Sequence, residues 1–593
     1  RFGSSSKGHL SCGGGPELLT GPLKCKVLSA AGYFDAHTHH MIAAKQITTN
    51  ATTAHKRQNH NYARFSPCPV SRCMSLAIWL LFVLGAVEQG TASKPFMSQI
   101  NKSHVTALLQ ADEQTGGASG TFLQISDVHL DPWYNESLGR QCFCNPGLSK
   151  PDMATCSASS TGNRFGQHGC DTPLALLQNT FKEAAAKAPP GGYDWVFITG
   201  DLVRHRMSEL PAKTRPAEVR RVLQTAFDLL HQHFPSATVH HGLGHEIYAL
   251  GNNDLPDDYN ISATDSTRED NPWFASLTPI LFHQAGDSPV SPAASVPLGG
   301  DKKDTFARGG YFAERLTDSL YVVSLNTVVY SQQQRSADPF GQFQWLRTFL
   351  RGLRSKALIA KGASAVPRAL ILGHIPPVVD DFHFTELWQE TYSKVYWEII
   401  SQYADLIAGQ LFAHLHTPVF RLLSPHGLVT PLFVAGATSP LYENNPSFRV
   451  WRYEGSHLLD YTDYYGHLRT DGPQDVFSFD KGFSARKLFN LSSLALSEWR
   501  SRVYDQMGSN DVIWRRYMMS TYLMESGPRL EAAVTSRIFR DRTICSVGFV
   551  NYNQFQRCLA KSAGSLRSRA GAIGFLLLAA MTGLAMDLLT GRV

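Results

Sequence analysis

Seven side chains in this sequence could each give a metal ion a carboxylate, imidazole or amide-oxygen donor. They are Asp127 and His129 in "SDVH", Asp201 in "TGD", Asn252 in "GNND", His374 in "LGH", and His414 and His416 in "AHLH". Each group follows directly on an apolar run: 121–125, 194–199, 246–250, 368–372 and 404–412. The runs have the length and composition of strands, and the carboxyl ends of strands in an open α/β sheet face one crevice. Five strand ends would therefore deliver seven donors to one place. Seven exceeds what a single Zn²⁺ takes. Two divalent ions sharing one carboxylate would use all of them, and the mixture of N and O donors suits Zn²⁺ first, with Mn²⁺ or Fe as alternatives. Such a pair, about 3.5–4 Å apart, suits in-line displacement at phosphorus by water held between the ions. One histidine alone would carry no such reading; the ordered set does.

The elements that must position these residues alternate along the chain. Strand-like runs also occur at 320–325 and 431–436, and amphipathic helix-like stretches at 173–188, 217–234 and 341–354 lie between the runs. The alternation predicts a sheet-centred α/β layer architecture. Stretch 281–310, rich in Pro, Gly, Ser and Asp, reads as a surface loop. From about 475 onward the segments "LALSEWRSRVYDQM" and "VIWRRYMMSTYLMES" read as a smaller helical part.

The motifs D-V-H (127–129), G-D (200–201), G-N-N-D (251–254), G-H (373–374) and H-L-H (414–416), in this order, resemble the calcineurin-like metallophosphoesterases. Within that family the chain is similar to the acid sphingomyelinase-like phosphodiesterases and the endopolyphosphatases. "DPWY" and the Cys-rich "CFCNPGLSK…GNRFGQHGCDTPLALL" match the sphingomyelinase-like branch. The resemblance covers about 119–460 well and implies a four-layer α/β/β/α sandwich. It implies that Asp127, His129 and His416 hold one ion, that Asn252, His374 and His414 hold the other, and that Asp201 bridges. The expected reaction is hydrolysis of a phosphoric diester by a hydroxide bridging the two ions.

The chain departs from the pattern at two points. Position 253, usually a His that serves as candidate proton donor, is Asn253, and an amide cannot be a general acid near neutral pH. His205, four residues after Asp201 in "TGDLVRH", replaces it as the candidate donor, as in the sphingomyelinase-like enzymes; "GNND" itself resembles the endopolyphosphatases. Ala413 stands where the family usually has Gly, so the turn there is expected to differ slightly. Asn253 and Asp254 are equally readable as turn residues. Tyr442, Asn444 and Arg449 in "SPLYENNPSFRVW" are candidate substrate contacts; an ordinary loop is the plainer reading. His231, His233, His240, His241 and His245 read as mostly solvated, and "FDAHTHH" (34–40) lacks a partner set.

Charge narrows the partners. Residues 1–73 hold nine Lys/Arg against Glu17 and Asp35, a local balance of +7. The formal net charge of +6 therefore leaves −1 for the rest, which gives no case for nucleic-acid binding. "RCMSLAIWLLFVLGAVEQGTAS" carries an apolar run at 76–87 and a small-x-small site at 91–93, as a secretory signal does. The expected organisation is an extension or disordered segment (1–73), signal peptide (74–93), linker (94–118), catalytic domain (119–470), helical subdomain (471–560) and membrane-anchoring tail (561–593). The tail's apolar run, Ala570–Leu589, suits a span or a lipid-anchor signal.

Six cysteines lie behind the signal; Cys545 with Cys558 is a natural pair, and Cys142, Cys144, Cys156 and Cys170 can pair three ways. Sequons at Asn135, Asn260 and Asn490 fit the secretory route and an extracellular, lysosomal or vacuolar location. The expected substrate is a phospholipid head group or a nucleotide. Polyphosphate is the alternative, and a non-catalytic cell-surface binding protein on the same fold is the reading of another class.

Overall fold

The computed structural model describes residues 120–147, 153–235, 246–261, 269–282, 298–360, 366–422, 430–523 and 527–562. Two six-stranded mixed sheets form its centre. Strands β1 (Gly120–Ile125), β2 (Trp195–Ile198) and β3 (Glu246–Tyr248) run parallel, each joined to the next by a crossover. Strands β4 (Phe312–Arg315), β5 (Leu320–Ser324), β6 (Arg368–Leu372), β7 (Ile407–Phe412), β8 (Val419–Arg421) and β9 (Leu432–Val434) make the second sheet, in the order β4-β5-β6-β7-β9-β8. β10 (Ser447–Glu454), β11 (His457–Tyr465) and β12 (Lys481–Ser484) return antiparallel to complete the first, β12-β11-β10-β1-β2-β3.

The parallel strands are largely buried on both faces, so they read in the sequence as nearly continuous apolar runs, interrupted in β1 by the buried Gln124. The sheets meet face to face through aromatic rings: Phe433 of β9 lies 5.4 Å from Trp451 of β10 and 5.7 Å from Tyr461 of β11. Polar ties cross the same interface, Ser324 Oγ donating to the Tyr248 carbonyl at 2.7 Å. Helices α1 (Leu174–Ala186), α2 (Arg215–His233), α3 (Gln342–Ile359) and α4 (Glu390–Gln402) bury apolar stripes. The result is the expected layered α/β sandwich.

Three boundaries differ from expectation. The stretch expected to be a loop at 281–310 contains the helix Lys302–Gly309, which the Asp301 side chain caps by accepting from the backbone N–H groups of Lys303 and Asp304. The end of the sheet passes 470, because β12 pairs with β11. The stretch 447–454 is a strand beside β1, not a loop. Beyond it α5 (Asp511–Thr521), α6 (Pro528–Thr535) and α7 (Arg537–Gly548) form the helical part, where the Cys545–Cys558 disulfide lies. Cys144 pairs with Cys170; Cys142 and Cys156 are buried and unbridged. Among the described residues no helix is long and apolar enough to cross a membrane. The signal, the basic extension, "FDAHTHH", His240, His241, His245 and the apolar tail lie outside the described residues.

Candidate active site

The turns that leave the central strands are tied to one another before any side chain enters. Past β1, the Asp127 N–H donates to the Gly200 carbonyl at 3.1 Å and the His129 N–H to the Asp201 carbonyl at 2.9 Å. Past β6 and β7, the Ala413 N–H donates to the His374 carbonyl at 3.0 Å. This packing bends the chain hard. Asp127, His129, Asp201, His414 and His416 all sit at positive φ, between 46° and 72°, where a side chain costs about 1 kcal/mol or more. Five of the seven candidate ligands thus occupy strained backbone, as is common where geometry serves chemistry. Ala413 is not among the positive-φ residues, so the turn accepts Ala because the left-handed conformation falls on His414. Gly200 has φ +86°, and a Cβ there would meet the Gly251 backbone and His374 Nδ1. A Cβ on Gly251 would collide with Asp201. The glycines before Asp201 and Asn252 are therefore required by close approach.

The donors converge in three overlapping groups, Asp127, His129 and Asp201, then Asp201, His374 and His414, and then His129, His205 and His416, each with its ligand atoms within 4.8 Å of one another; the first two share Asp201. His129 Nε2 lies 3.1 Å from His416 Nε2, and His416 Nε2 lies 3.6 Å from Asp127 Oδ1. His374 Nε2 stands 3.2 Å from Asn252 Oδ1, 3.2 Å from Asp201 Oδ2 and 3.2 Å from His414 Nδ1. Donors bonded to one ion at about 2.0–2.2 Å stand roughly 3 Å apart, so the set fits a divalent cation in each of the two clusters that share Asp201. The outer nitrogens also suit ligation. His129 Nδ1 is 3.1 Å from the Val203 carbonyl and His374 Nδ1 is 2.7 Å from that of Thr199, which turns each Nε2 inward.

All seven donors are buried except His414, which is partly so. Burial pushes the Asp127 carboxyl up to about 7 and the His129 imidazole down to about 3. Burial also opposes charge on His374, but the adjacent Asp201 carboxylate outweighs it and pushes that imidazole up to about 9. Asp201 is held well below the usual carboxylate range, against the burial cost, by His374, His129 and His414.

Around the clusters lies a layer of supporting residues, of which the motifs contain only Asn253 and Asp254. Asp254 accepts from five donors: the backbone N–H groups of Leu202 and Val203 at one oxygen, those of Asp201 and Gly251 plus the Tyr248 hydroxyl at the other. It is a turn-holding residue. Asn253 donates its backbone N–H and its side-chain Nδ2–H to the two Asp201 oxygens, each at 2.8 Å, and so orients that carboxylate. Asp258, at φ +54°, accepts the Asn252 Nδ2–H at 2.8 Å and turns the Asn252 oxygen towards His374. Asp171 accepts both the His205 backbone N–H and its Nδ1–H, each at 2.9 Å. Asp171 follows Cys170 of the Cys144–Cys170 disulfide, which anchors it. Nothing in the one-dimensional pattern marks Asp171 or Asp258, since each acts on a residue from which only the fold shows its direction.

His205 stacks on His129 with ring centroids 3.8 Å apart, and its Nε2 lies 3.4 Å from the Tyr442 hydroxyl. The Tyr442 ring stands 4.5 Å from that of His416. Tyr259 flanks the other cluster, 6.2 Å from the His414 ring. Asn444 and Arg449 are corrections. Asn444 is fully buried and donates to the His416 carbonyl at 2.8 Å, so it supports a candidate ligand from behind. Arg449 is 1% exposed and is paired to Asp463 through Nε at 2.6 Å and Nη2 at 2.8 Å, with its guanidinium over the Tyr461 ring. It lies between the sheets, where its charge is already neutralised. His231 and His233 lie on α2, half-buried.

Known proteins similar to this chain are phosphoesterases by name. The sequence profile of the family "Calcineurin-like phosphoesterase" matches residues 120–418. "Sphingomyelin phosphodiesterase A" of Dictyostelium discoideum is 24% identical over 455 residues, 74% of this chain and 68% of that protein. "Acid sphingomyelinase-like phosphodiesterase 3b" of Mus musculus is 23% identical over 466 residues, 75% of this chain and 91% of the relative. "Cyclic GMP-AMP phosphodiesterase SMPDL3A" of Homo sapiens is 26% identical over 375 residues, 59% of this chain and 71% of the relative.

Proposed function

The chain belongs to the calcineurin-like phosphoesterase family and is an enzyme of phosphoester hydrolysis, and on that premise we propose that it is a two-metal phosphodiesterase. The observation that carries the reading is the pair of three-residue clusters sharing Asp201. Asp127, His129 and His416 would hold one divalent ion, Asn252, His374 and His414 the other, and Asp201 both; Zn²⁺ is the first choice by donor type. When bound, the ions would activate water and neutralise charge on the phosphoryl oxygens.

The chain's own groups complete the reaction. His205 gives its Nδ1–H to Asp171, so the proton it can transfer sits on Nε2, on the side of the Tyr442 hydroxyl and the first cluster. It is the proton donor to the leaving oxygen, and Asp171 stabilises the charged imidazole before transfer. Asn253 orients Asp201 through its amide; it carries no proton in the reaction. Diesters are preferred as substrates because the relatives at 22–26% identity are named as phosphodiesterases, of sphingomyelin and of a cyclic dinucleotide. A phospholipid head group or a nucleotide diester is the proposed substrate class. The two disulfides support an oxidising, secretory location. The apolar run Ala570–Leu589 supports membrane attachment there.

The test is turnover of a nitrophenyl phosphodiester and the matching monoester by the secreted chain, with Zn²⁺ or with chelator, at pH 5 and pH 7. Chelator-sensitive turnover that favours the diester is expected. Turnover that survives complete metal removal would overturn the two-metal assignment, and monoester preference would overturn the substrate class.

A further inference from the structure

The turn 438–446, which carries Tyr442 to the site, is gripped from three directions. From the strand ends, the Thr438 and Ser439 N–H groups donate to the Ser126 and Asp127 carbonyls, each at 3.0 Å. From the disulfide-tied segment, the Gly169 N–H donates to the Pro440 carbonyl at 3.2 Å. The third grip comes from the helical part. Arg529, near the start of α6, donates through Nη1 to the Tyr442 carbonyl at 2.8 Å and reaches Asn444 Oδ1 at 3.5 Å. Its guanidinium lies 4.7 Å over the Tyr522 ring, and Asn445 Nδ2 donates to the Leu523 carbonyl at 3.1 Å.

These contacts give the helical part a role beyond closing the core. Tyr442 is half-buried, and the next residue, Glu443, has φ +65°. Its phenol lies beside His205 only while the backbone of the turn is held. A charged donor on the Tyr442 carbonyl is a strong and directional grip. We infer that Arg529 is a positioning residue of the reaction: it fixes the Tyr442 carbonyl, so that the Tyr442 phenol and the His205 imidazole present one ordered wall to the leaving group. The inference rests on the proposed phosphodiesterase reading and deepens it, because it assigns support of the leaving-group side of the site to a residue about 320 positions after His205 in sequence.

The experiment uses the full secreted chain with Arg529→Ala, Arg529→Gln and Arg529→Lys, each alone and combined with Tyr442→Phe. Bound zinc, kcat and KM on the nitrophenyl phosphodiester, and hydrogen exchange over 438–446 are measured. Arg529→Ala should keep its zinc, lose about tenfold in kcat with a smaller change in KM, and speed exchange across the turn; misplacement of a catalytic wall by a fraction of an ångström has effects of about this size. Arg529→Lys should recover most of the loss. Because Arg529 acts through the phenol, its removal should cost less than about twofold in the Tyr442→Phe background. Equal losses in both backgrounds, or unchanged exchange, would overturn the inference. Should Arg529→Ala fail to fold, Arg529→Gln carries the same comparison, with Arg529→Lys as its rescue. A wild-type chain without metal-dependent turnover would overturn the functional reading instead, and the exchange measurement would still decide whether Arg529 holds the turn.

Discussion

Replacing Asp254 by Asn changes one atom and should disable the site from beneath. The Asp254 carboxylate accepts the Leu202 N–H at 2.8 Å and the Val203 N–H at 3.2 Å on Oδ1. On Oδ2 it accepts the Asp201 N–H at 2.8 Å, the Gly251 N–H at 2.9 Å and the Tyr248 hydroxyl at 2.6 Å. An amide keeps one oxygen and turns an NH₂ to the other side. Whichever way it sits, two buried backbone N–H groups lose their acceptor, since two lie on each side. A buried donor left unsatisfied costs about 1–3 kcal/mol, so the substitution should cost about 2–6 kcal/mol. Tyr248 can turn its hydroxyl to accept from the amide and adds little. Three of the four backbone donors belong to the turn that carries Asp201, so part of that cost should appear as displacement of the carboxylate proposed to bridge the ions. Unfolding in urea should be followed with chelator present, because bound metal stabilises the native state and would mask the loss. Zinc content is measured separately. A loss of stability below about 1 kcal/mol together with a full complement of zinc would refute the assignment of Asp254 as the holder of this turn.

Three further outcomes follow from the same geometry. Asp171→Asn should lower kcat for alkyl phosphodiesters by about 10²-fold or more and for nitrophenyl diesters much less, since only poor leaving groups need the proton that His205 carries; equal losses would remove His205 and Asp171 from proton transfer. Asp258→Ala should free the Asn252 amide to turn and weaken the second ion by about 10–100-fold, read by competition with a chromophoric chelator, while the first ion is retained. Metal affinity should rise with pH. Below pH 7 the Asp127 carboxyl, at about 7, and the His374 imidazole, at about 9, both hold protons that a metal must displace. Affinity for the ion that Asp127 would hold should therefore rise by up to about tenfold per pH unit below pH 7, and affinity for the ion that His374 would hold by up to about tenfold per pH unit up to pH 9. Affinity that is flat across this range would show that neither proton competes.

Much of this protein is legible in the sequence because its central strands are buried on both faces. Such strands are written as nearly continuous apolar runs, and the residues at the end of each are the ones placed to reach the crevice. The order of runs and donors therefore pointed to a sheet-centred α/β architecture and the seven candidate ligands, and the family resemblance of the motifs implied the sandwich. The return strands were less visible. β10 and β11 mix buried and half-exposed residues and are rich in Arg, Tyr and Asp, so "SFRVW" offered Arg449 as a candidate substrate contact, with an ordinary loop as the plainer reading. Only the sheet showed that Arg449 meets Asp463 across the β10–β11 pair. The supporting residues were decided by tertiary structure alone. Asp171 and His205 are 34 positions apart, and Arg529 and Tyr442 are 87 apart. Hydrogen bonds of that separation leave no periodicity in the chain: they depend on the direction in which two turns point once the sheets have packed, and that direction is a property of the fold rather than of any local stretch.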